Sequence, residues 1–157
     1  MSAMPVKVSV QRAYRGGPSR RLLQRWAQQA LASSHPHAAL TVRIVDIAES
    51  ATLNATWRQR SGPTNVLSFP VSGLEEIAPE LLGDIVICAP VVASEAAAQG
   101  KSLEAHWAHL VVHGTLHLLG FDHVEARQAR TMEALECELL TALGFPDPYQ
   151  DLELSDP

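Results

Sequence analysis

An apolar run that ends in a group of histidines limits the fold of this chain more than any other stretch. The run covers residues 103–119 and includes the first part of the sequence HGTLHLLGFDH at 113–123. On a helix, these residues would place apolar groups on most sides, and a helix of that kind has to be buried. The sequence therefore predicts a central helix, starting after Ser102, around which the other elements pack.

The histidines of this stretch have the spacing of a metal site. His113 and His117 are four residues apart, so on a helix their imidazoles lie on one face and can reach the same ion. Gly120 can end the helix, because glycine adopts the left-handed conformation of a C-terminal cap without a Cβ clash. The chain can then turn back, which would bring His123 to the same ion.

Three imidazoles that leave a fourth position open are typical of catalytic zinc, whereas structural zinc sites usually have four protein ligands. We therefore predict that His113, His117 and His123 bind one zinc ion per chain and take part in catalysis. Hydrolysis is the expected reaction class, because zinc held in this way activates water and polarises an oxygen of the substrate.

The same spacing occurs in the extended zinc-protease signature, but Gly114 stands where the proteases carry their glutamate base. A metallopeptidase-like hydrolase is therefore one alternative function. Without that glutamate, the proton would be taken by the activated water, by a hydroxyl of the substrate or by another group such as His109.

Three further polar residues lie in or near the motif. Two of them, His109 and Asp122, have two possible roles each. His109 lies four residues before His113, so it either contacts the ligands or substrate or is a hydrogen-bonded core histidine. Asp122 either orients a ligand imidazole or caps the turn after the helix. His106 is expected at the surface.

The segment HGTLHLLGFDH closely resembles the signature of the YbeY family. Two further segments agree with that family: Trp57-Arg58 followed by PTNVLSFP at 63–70, and LGDIVI at 82–87. The first fifty residues match in pattern only. The resemblance implies a metal-dependent endoribonuclease that acts on single-stranded RNA and matures ribosomal RNA. It also implies a four-stranded mixed sheet with the metal-carrying helix packed centrally, and a functional role for Arg58.

Arg58 has the chemistry that cleavage of a phosphodiester requires. Charge develops on the non-bridging oxygens of the phosphate, and a planar guanidinium can donate two parallel hydrogen bonds to them. We expect Arg58 to be catalytic together with His113, His117 and His123. The structural alternative is an ion pair between Arg58 and Asp46 or Asp84.

The charge distribution makes RNA plausible as a partner, although the net charge taken alone argues against it. The net charge is −5, but residues 1–60 hold nine Lys and Arg against two acidic residues, whereas residues 61–157 hold three against fifteen. Such an asymmetry between halves is a hint of nucleic-acid or membrane contact, and cationic groups drive phosphate binding. A solvated charged face is the alternative explanation. We expect single-stranded RNA and ribosomal RNA precursors as partners, with ribosomal proteins or ribosome-associated factors as further candidates.

The whole chain suits one soluble domain. Its 157 residues are 46% hydrophobic and 18% charged, which allows a single domain over residues 1–157, with a loose tail from about residue 147. No apolar run reaches the roughly 20 residues of a membrane span, and the first ten residues lack a secretory pattern. We expect a cytoplasmic protein without membrane contact, in which Cys88 and Cys137 are reduced thiols.

Alternation and apolar periodicity predict an α+β fold. Strands are expected at 6–10, 40–47, 64–69 and 82–89, and helices at 19–31, 49–57, 90–99, 102–119 and 124–143. Leu53 and Trp57 are expected to face the core. The connection between the third and fourth strands is too short for a helical crossover, so the sheet should be mixed. Residues 72–80 should form a flexible loop.

Three functions are consistent with these observations. The first is a zinc-dependent endoribonuclease in ribosomal RNA processing and ribosome maturation, and the second is the metallopeptidase-like hydrolase. The third is a non-catalytic ribosome-assembly factor with a structural metal. The first two functions differ in their substrate, so cleavage assays on RNA and on a protein substrate separate them. RNA also offers a 2′-hydroxyl that peptides lack.

Overall fold

The computed structural model describes residues 6–74, 76–121 and 125–149. Its four strands form one mixed sheet in the order β1-β2-β4-β3. The parallel pairs are β1 with β2 and β2 with β4, and β3 runs antiparallel to β4 at the edge of the sheet. The strands are β1 (Lys7–Arg12), β2 (Ala39–Val45), β3 (Val66–Pro70) and β4 (Leu81–Cys88). The predicted α+β class and mixed sheet are confirmed.

Five helices accompany the sheet in the described residues. They are α1 (Arg20–Leu31), α2 (Ile47–Arg58), α3 (Ala89–Gln99), α4 (Leu103–Leu118) and α5 (Ala126–Ala142). Side-chain caps begin three of them: Ser19 for α1, Asp46 for α2 and Ser102 for α4. The helix α2 starts two residues before the predicted position 49, because the Asp46 side chain caps it. Ser50, inside the helix, is buried and donates a hydrogen bond to the Thr64 carbonyl (3.0 Å).

The helix α4 lies at the centre of the molecule, as predicted. It packs against α1, α3, α5 and the sheet strands β3 and β4, and Trp107, Ala108, Val111 and Leu116 are buried in the main core. The helix packs tightly on the sheet at Gly114, where a Cβ atom would lie 2.8 Å from Ile85 Cγ2. Ser68 of β3 donates a hydrogen bond to the Gly114 carbonyl (3.1 Å). Glycine is therefore required here for packing.

A smaller core covers the other face of the sheet beneath α2. It consists of Val45, Leu67, Val86 and Cys88, with Leu53 of α2 packed against it. The expectation that Trp57 also faces the core is wrong, because 59% of this residue is exposed. Trp57 lies in the last turn of α2, and its ring contacts Phe69 of the edge strand. In the described part of the chain no strand lies beyond β3 to cover it.

The helix α4 ends as the sequence predicts. Gly120 has a φ of +102°. Its N–H donates to the His117 carbonyl (3.0 Å), and the N–H of Phe121 donates to the Leu116 carbonyl (3.1 Å). This pair of bonds is a Schellman cap, which turns the chain sharply after α4.

The segment after α5 returns to the centre of the molecule. Lys101 Nζ donates to the Pro148 carbonyl (3.1 Å), and Tyr149 contacts Glu136. The tail expected to be loose from about residue 147 is thus docked as far as Tyr149, and residues 150–157 lie outside the described range. Within the described residues, no helix combines the length and apolar character that a membrane span requires.

Candidate metal centre

The nitrogens of His113 and His117 point into the same small space. Both side chains project from one face of α4, and their Nε2 atoms are 3.2 Å apart. Two nitrogens bound to one tetrahedral zinc at about 2.0–2.1 Å would lie about 3.3 Å apart. The separation of the two nitrogens therefore matches that of two ligands of one ion. His123 and Asp122 lie outside the described residues, so their roles stay predictions.

Glu136 of α5 fixes the tautomer of His113. His113 Nδ1 lies 2.6 Å from Glu136 Oε2. A carboxylate can only accept, so Nδ1 carries a proton, and in the neutral tautomer that this contact selects the lone pair lies on Nε2, on the side of His117. A histidine that binds a metal commonly donates its other nitrogen to a carboxylate in this way. This contact therefore orients Nε2 of His113 as a metal ligand.

The carboxylate of Glu136 is fully buried yet ionised. Burial alone would raise its pKa, but hydrogen bonds from His109, His113 and Tyr149 outweigh burial and lower the pKa to about 2. The pKa of Tyr149 is raised, first by burial and then by its hydrogen bond to Glu136. The Tyr149 hydroxyl therefore keeps its proton and donates to the carboxylate.

His109 belongs to the same network. Its Nε2 lies 3.0 Å from Glu136 Oε1 and 3.3 Å from the Tyr149 hydroxyl. Of the two interpretations of His109, the structure supports contact with a residue that holds His113. One nitrogen or oxygen each of His109, His113 and Glu136 lie within 4.8 Å of one another, so these residues form a candidate metal-binding group.

The expectation that His106 lies at the surface is wrong. The residue is 3% exposed, and its Nε2 lies 2.9 Å from Glu95 Oε1 on α3. Burial lowers the pKa of His106, and the hydrogen bond to Glu95 opposes this only partly. The reason is tertiary: α3 packs on the side of α4 that carries His106, which the sequence of α4 alone does not reveal.

An open groove of about 770 Å³ runs past the two histidines. Its walls come from α4, the edge strand β3, the end of α2 and the loop before β3. The polar residues that line it include Arg58, Arg60, Asn65, Ser68, His113 and His117. The groove thus brings the predicted Arg58 and two of the predicted histidines together.

Arg58 is held at the rim of this groove by the edge strand. Its Nη2 donates to the Ser68 carbonyl (2.6 Å), and its Cζ lies 5.2 Å from the centre of the Phe69 ring. Among the described residues, Arg58 forms no ion pair, so the predicted alternative of a bridge to Asp46 or Asp84 is not found. A guanidinium has five N–H donors, and these contacts use only part of them. Arg58 can therefore also bind an anion.

Sequence reasoning missed Glu136 and Tyr149. A signal for Glu136 was present, because it lies four residues from both Met132 and Leu140 and so falls inside the buried stripe of α5. A carboxylate in such a stripe needs a buried partner. Tyr149 gave no comparable signal, because its position depends on how the chain folds back after α5.

Comparisons with known proteins agree on one family. The family model described as Endoribonuclease YbeY matches residues 11–144. A protein named Endoribonuclease YbeY from Stutzerimonas stutzeri is 57% identical over 130 residues, which are 82% of this chain and 81% of that protein. A protein of the same name from Methylococcus capsulatus is 51% identical over 148 residues, 94% of this chain and 97% of that protein.

The fold also occurs among solved structures. The solution structure of a Thermotoga maritima protein superposes with a TM-score of 0.60 at 21% sequence identity. The match covers 96% of this chain and 93% of that one. At this identity the likeness supports the fold alone.

Proposed function

This chain belongs to the YbeY family of endoribonucleases, and on that premise we propose that it is a zinc-dependent hydrolase that cleaves phosphodiester bonds of single-stranded RNA. We further propose that it acts in the cytoplasm in ribosomal RNA processing and ribosome maturation. Its substrates are then ribosomal RNA precursors, with ribosomal proteins as candidate partners.

The observation that carries this proposal is the pair of Nε2 atoms of His113 and His117, 3.2 Å apart in a groove that Arg58 also lines. We assign the zinc to these two nitrogens and to His123, whose place in the motif suits a third ligand. Bound there, zinc supplies a Lewis acid and an activated water for hydrolysis.

His109, His113 and Glu136 are better explained as a hydrogen-bond network that orients His113 than as a second metal site. Its contacts of 2.6 and 3.0 Å are hydrogen bonds to a carboxylate that Tyr149 also contacts. An ion among these three residues would have to displace both histidine protons. On the other side of His113, the Nε2 lone pair already faces His117. His109 is accordingly a positioning residue, and we do not assign the general base to it.

The other residues of the site bind the phosphate or orient His113. Arg58 binds the phosphate and stabilises the charge that develops on its oxygens. Glu136 holds the tautomer of His113, and Tyr149 and His109 hold Glu136. A groove of about 770 Å³ has the size of a small-molecule site, which suits a few nucleotides of one strand.

The packing at Gly114 argues against a peptidase. The glutamate base of the zinc proteases would occupy this position, where even a Cβ atom would lie 2.8 Å from Ile85 Cγ2.

The function is tested by incubating the zinc-loaded protein with an unstructured RNA and, separately, with casein. We expect the protein to cleave the RNA but not casein. The His113→Ala variant should lose both its zinc and its RNA cleavage. Cleavage of casein would support the peptidase. If neither substrate is cut while ribosomal RNA precursors still accumulate in cells lacking the protein, the protein is an assembly factor without this activity.

A further inference from the structure

Trp57 is an exposed tryptophan beside the groove. It is 59% exposed, whereas Trp26 and Trp107 are 1% and 2% exposed. Tryptophan is highly buried on average, and an indole left at the surface is characteristic of an interaction site. The side chain is therefore the strongest unexplained feature near the groove.

Trp57 is linked to Arg58 through Phe69. The Trp57 and Phe69 rings meet edge to face, with their centres 6.3 Å apart at 74°, and the Arg58 guanidinium lies over the same Phe69 ring. Arg58 Nη1 also donates to the Trp57 carbonyl (3.3 Å). We call Trp57, Arg58 and Phe69 the rim cluster. Arg58 is the member of this cluster that also lines the groove, so the indole lies next to the groove rather than in its wall.

The charges beside the indole indicate a polyanion as the occupant. Arg58 and Arg60 are both exposed and both line the groove. Over residues 6–74, 76–121 and 125–149, neither arginine forms an ion pair with a carboxylate. Cations beside an exposed aromatic ring are what proteins use to hold single-stranded nucleic acid, with the backbone on the cations and a base on the ring.

We propose that the Trp57 indole stacks on a base of the single-stranded RNA, next to the phosphate that Arg58 contacts. This inference rests on the proposed function and adds a binding subsite outside the metal centre. Every base has a π-face, so the contact tolerates any sequence and contributes affinity without sequence preference.

The exposure of Trp57 also provides the probe. Because Trp26 and Trp107 are buried, a change of tryptophan fluorescence on binding reports mainly on Trp57. The zinc-loaded protein is titrated with a 2′-O-methyl oligoadenylate, whose integrity is checked afterwards on a gel, and with an abasic oligomer of equal length. We expect quenching by the first and little by the second, since only the first carries bases. Quenching should vanish in Trp57→Phe, which removes the reporter.

Variants then separate stacking from mere packing. Trp57→Ala should weaken RNA binding by about 5- to 100-fold. It should raise KM for RNA cleavage with little change in kcat, whereas a fault in positioning Arg58 would lower kcat. Trp57→Phe should recover most of the affinity, and Trp57→Leu should not, because leucine offers apolar area without a planar ring. Ile47→Ala is the matched control, since Ile47 is 51% exposed at the other end of α2.

The outcomes distinguish this inference from the proposed function. If the wild type cleaves RNA but Trp57→Ala has an unchanged KM and the oligoadenylate causes no quenching, the stacking subsite is wrong and the endoribonuclease stands. Equal rescue by leucine and phenylalanine also overturns stacking. If the wild type cleaves no RNA, the proposed function itself fails.

Discussion

His113 donates its Nδ1 proton to Glu136 across 2.6 Å, although the two residues are 23 positions apart and belong to different helices. The donor sits on the central helix α4, and the acceptor is the fully buried carboxylate of α5. The orientation of a proposed metal ligand is therefore set by the packing of the C-terminal helix.

Glu136→Gln should weaken zinc binding about 10- to 100-fold, the usual effect of losing a carboxylate behind a ligand histidine. Glutamine keeps the size of the side chain but not the charge that holds the Nδ1 proton. Zinc affinity is measured by competition with a chelator, with circular dichroism to confirm folding. Glu138→Gln, at an exposed position of the same helix, is the control. Equal affinity in both variants would mean that Glu136 does not support the metal.

Gly114→Ala should destabilise the protein by about 1–3 kcal/mol, despite the higher helix propensity of alanine, because the new methyl group overpacks the interface. The atom it meets is Ile85 Cγ2, at 2.8 Å. Denaturant unfolding measures the change, and Ile85→Ala should relieve part of it in the double variant. Additive effects would show that the two side chains do not compete for this space.

Gly114→Glu, which restores the protease signature, should not create a peptidase. A glutamate side chain at this position would clash with the sheet. A general base alone also does not make a peptidase, because a peptide substrate needs a groove to bind it and donors to stabilise its oxyanion. Appreciable casein cleavage by this variant would revive the peptidase interpretation.

How far the sequence predicts this site depends on whether a feature is local. The pairing of His113 with His117 follows from the helical repeat alone, and the cap at Gly120 from the conformation of glycine. Glu136 and Tyr149 reach His113 only through tertiary packing, which no local pattern encodes. His106 and Trp57 were misplaced for the same reason. The packing of α3 buries the first, and the edge position of β3 leaves the second uncovered.

Arg58→Ala should reduce RNA cleavage steeply while zinc content and melting temperature stay near wild type, because an exposed arginine contributes little to the core. Arg58→Lys should recover only part of the activity, since an ammonium lacks the fork that matches a phosphate. The salt dependence of RNA binding should fall by about one counterion in Arg58→Ala. A sharp loss of melting temperature with normal cleavage would make Arg58 a structural residue.

His106 should make the metal-free protein less stable in acid. Burial, opposed in part by Glu95, lowers the pKa of His106 below its ordinary value of 6.5, and Lys101 and His109 nearby act in the same direction as burial. The unfolded chain then takes up a proton that the folded protein does not. The free energy of unfolding should therefore fall as the pH drops below about 6.5. Denaturant unfolding at pH 7.5 and 5.5 should show a smaller fall in His106→Gln; an equal fall would contradict this role.

The most direct test of the metal centre is His117→Ala, measured for zinc content and RNA cleavage on the same preparation. The wild type should hold about one zinc per chain. The variant should lose most of this zinc and its cleavage together, while His35→Ala, at an exposed loop position, should keep both. Full zinc retention with normal cleavage in His117→Ala would show that His117 is not a ligand and that the catalytic metal lies elsewhere.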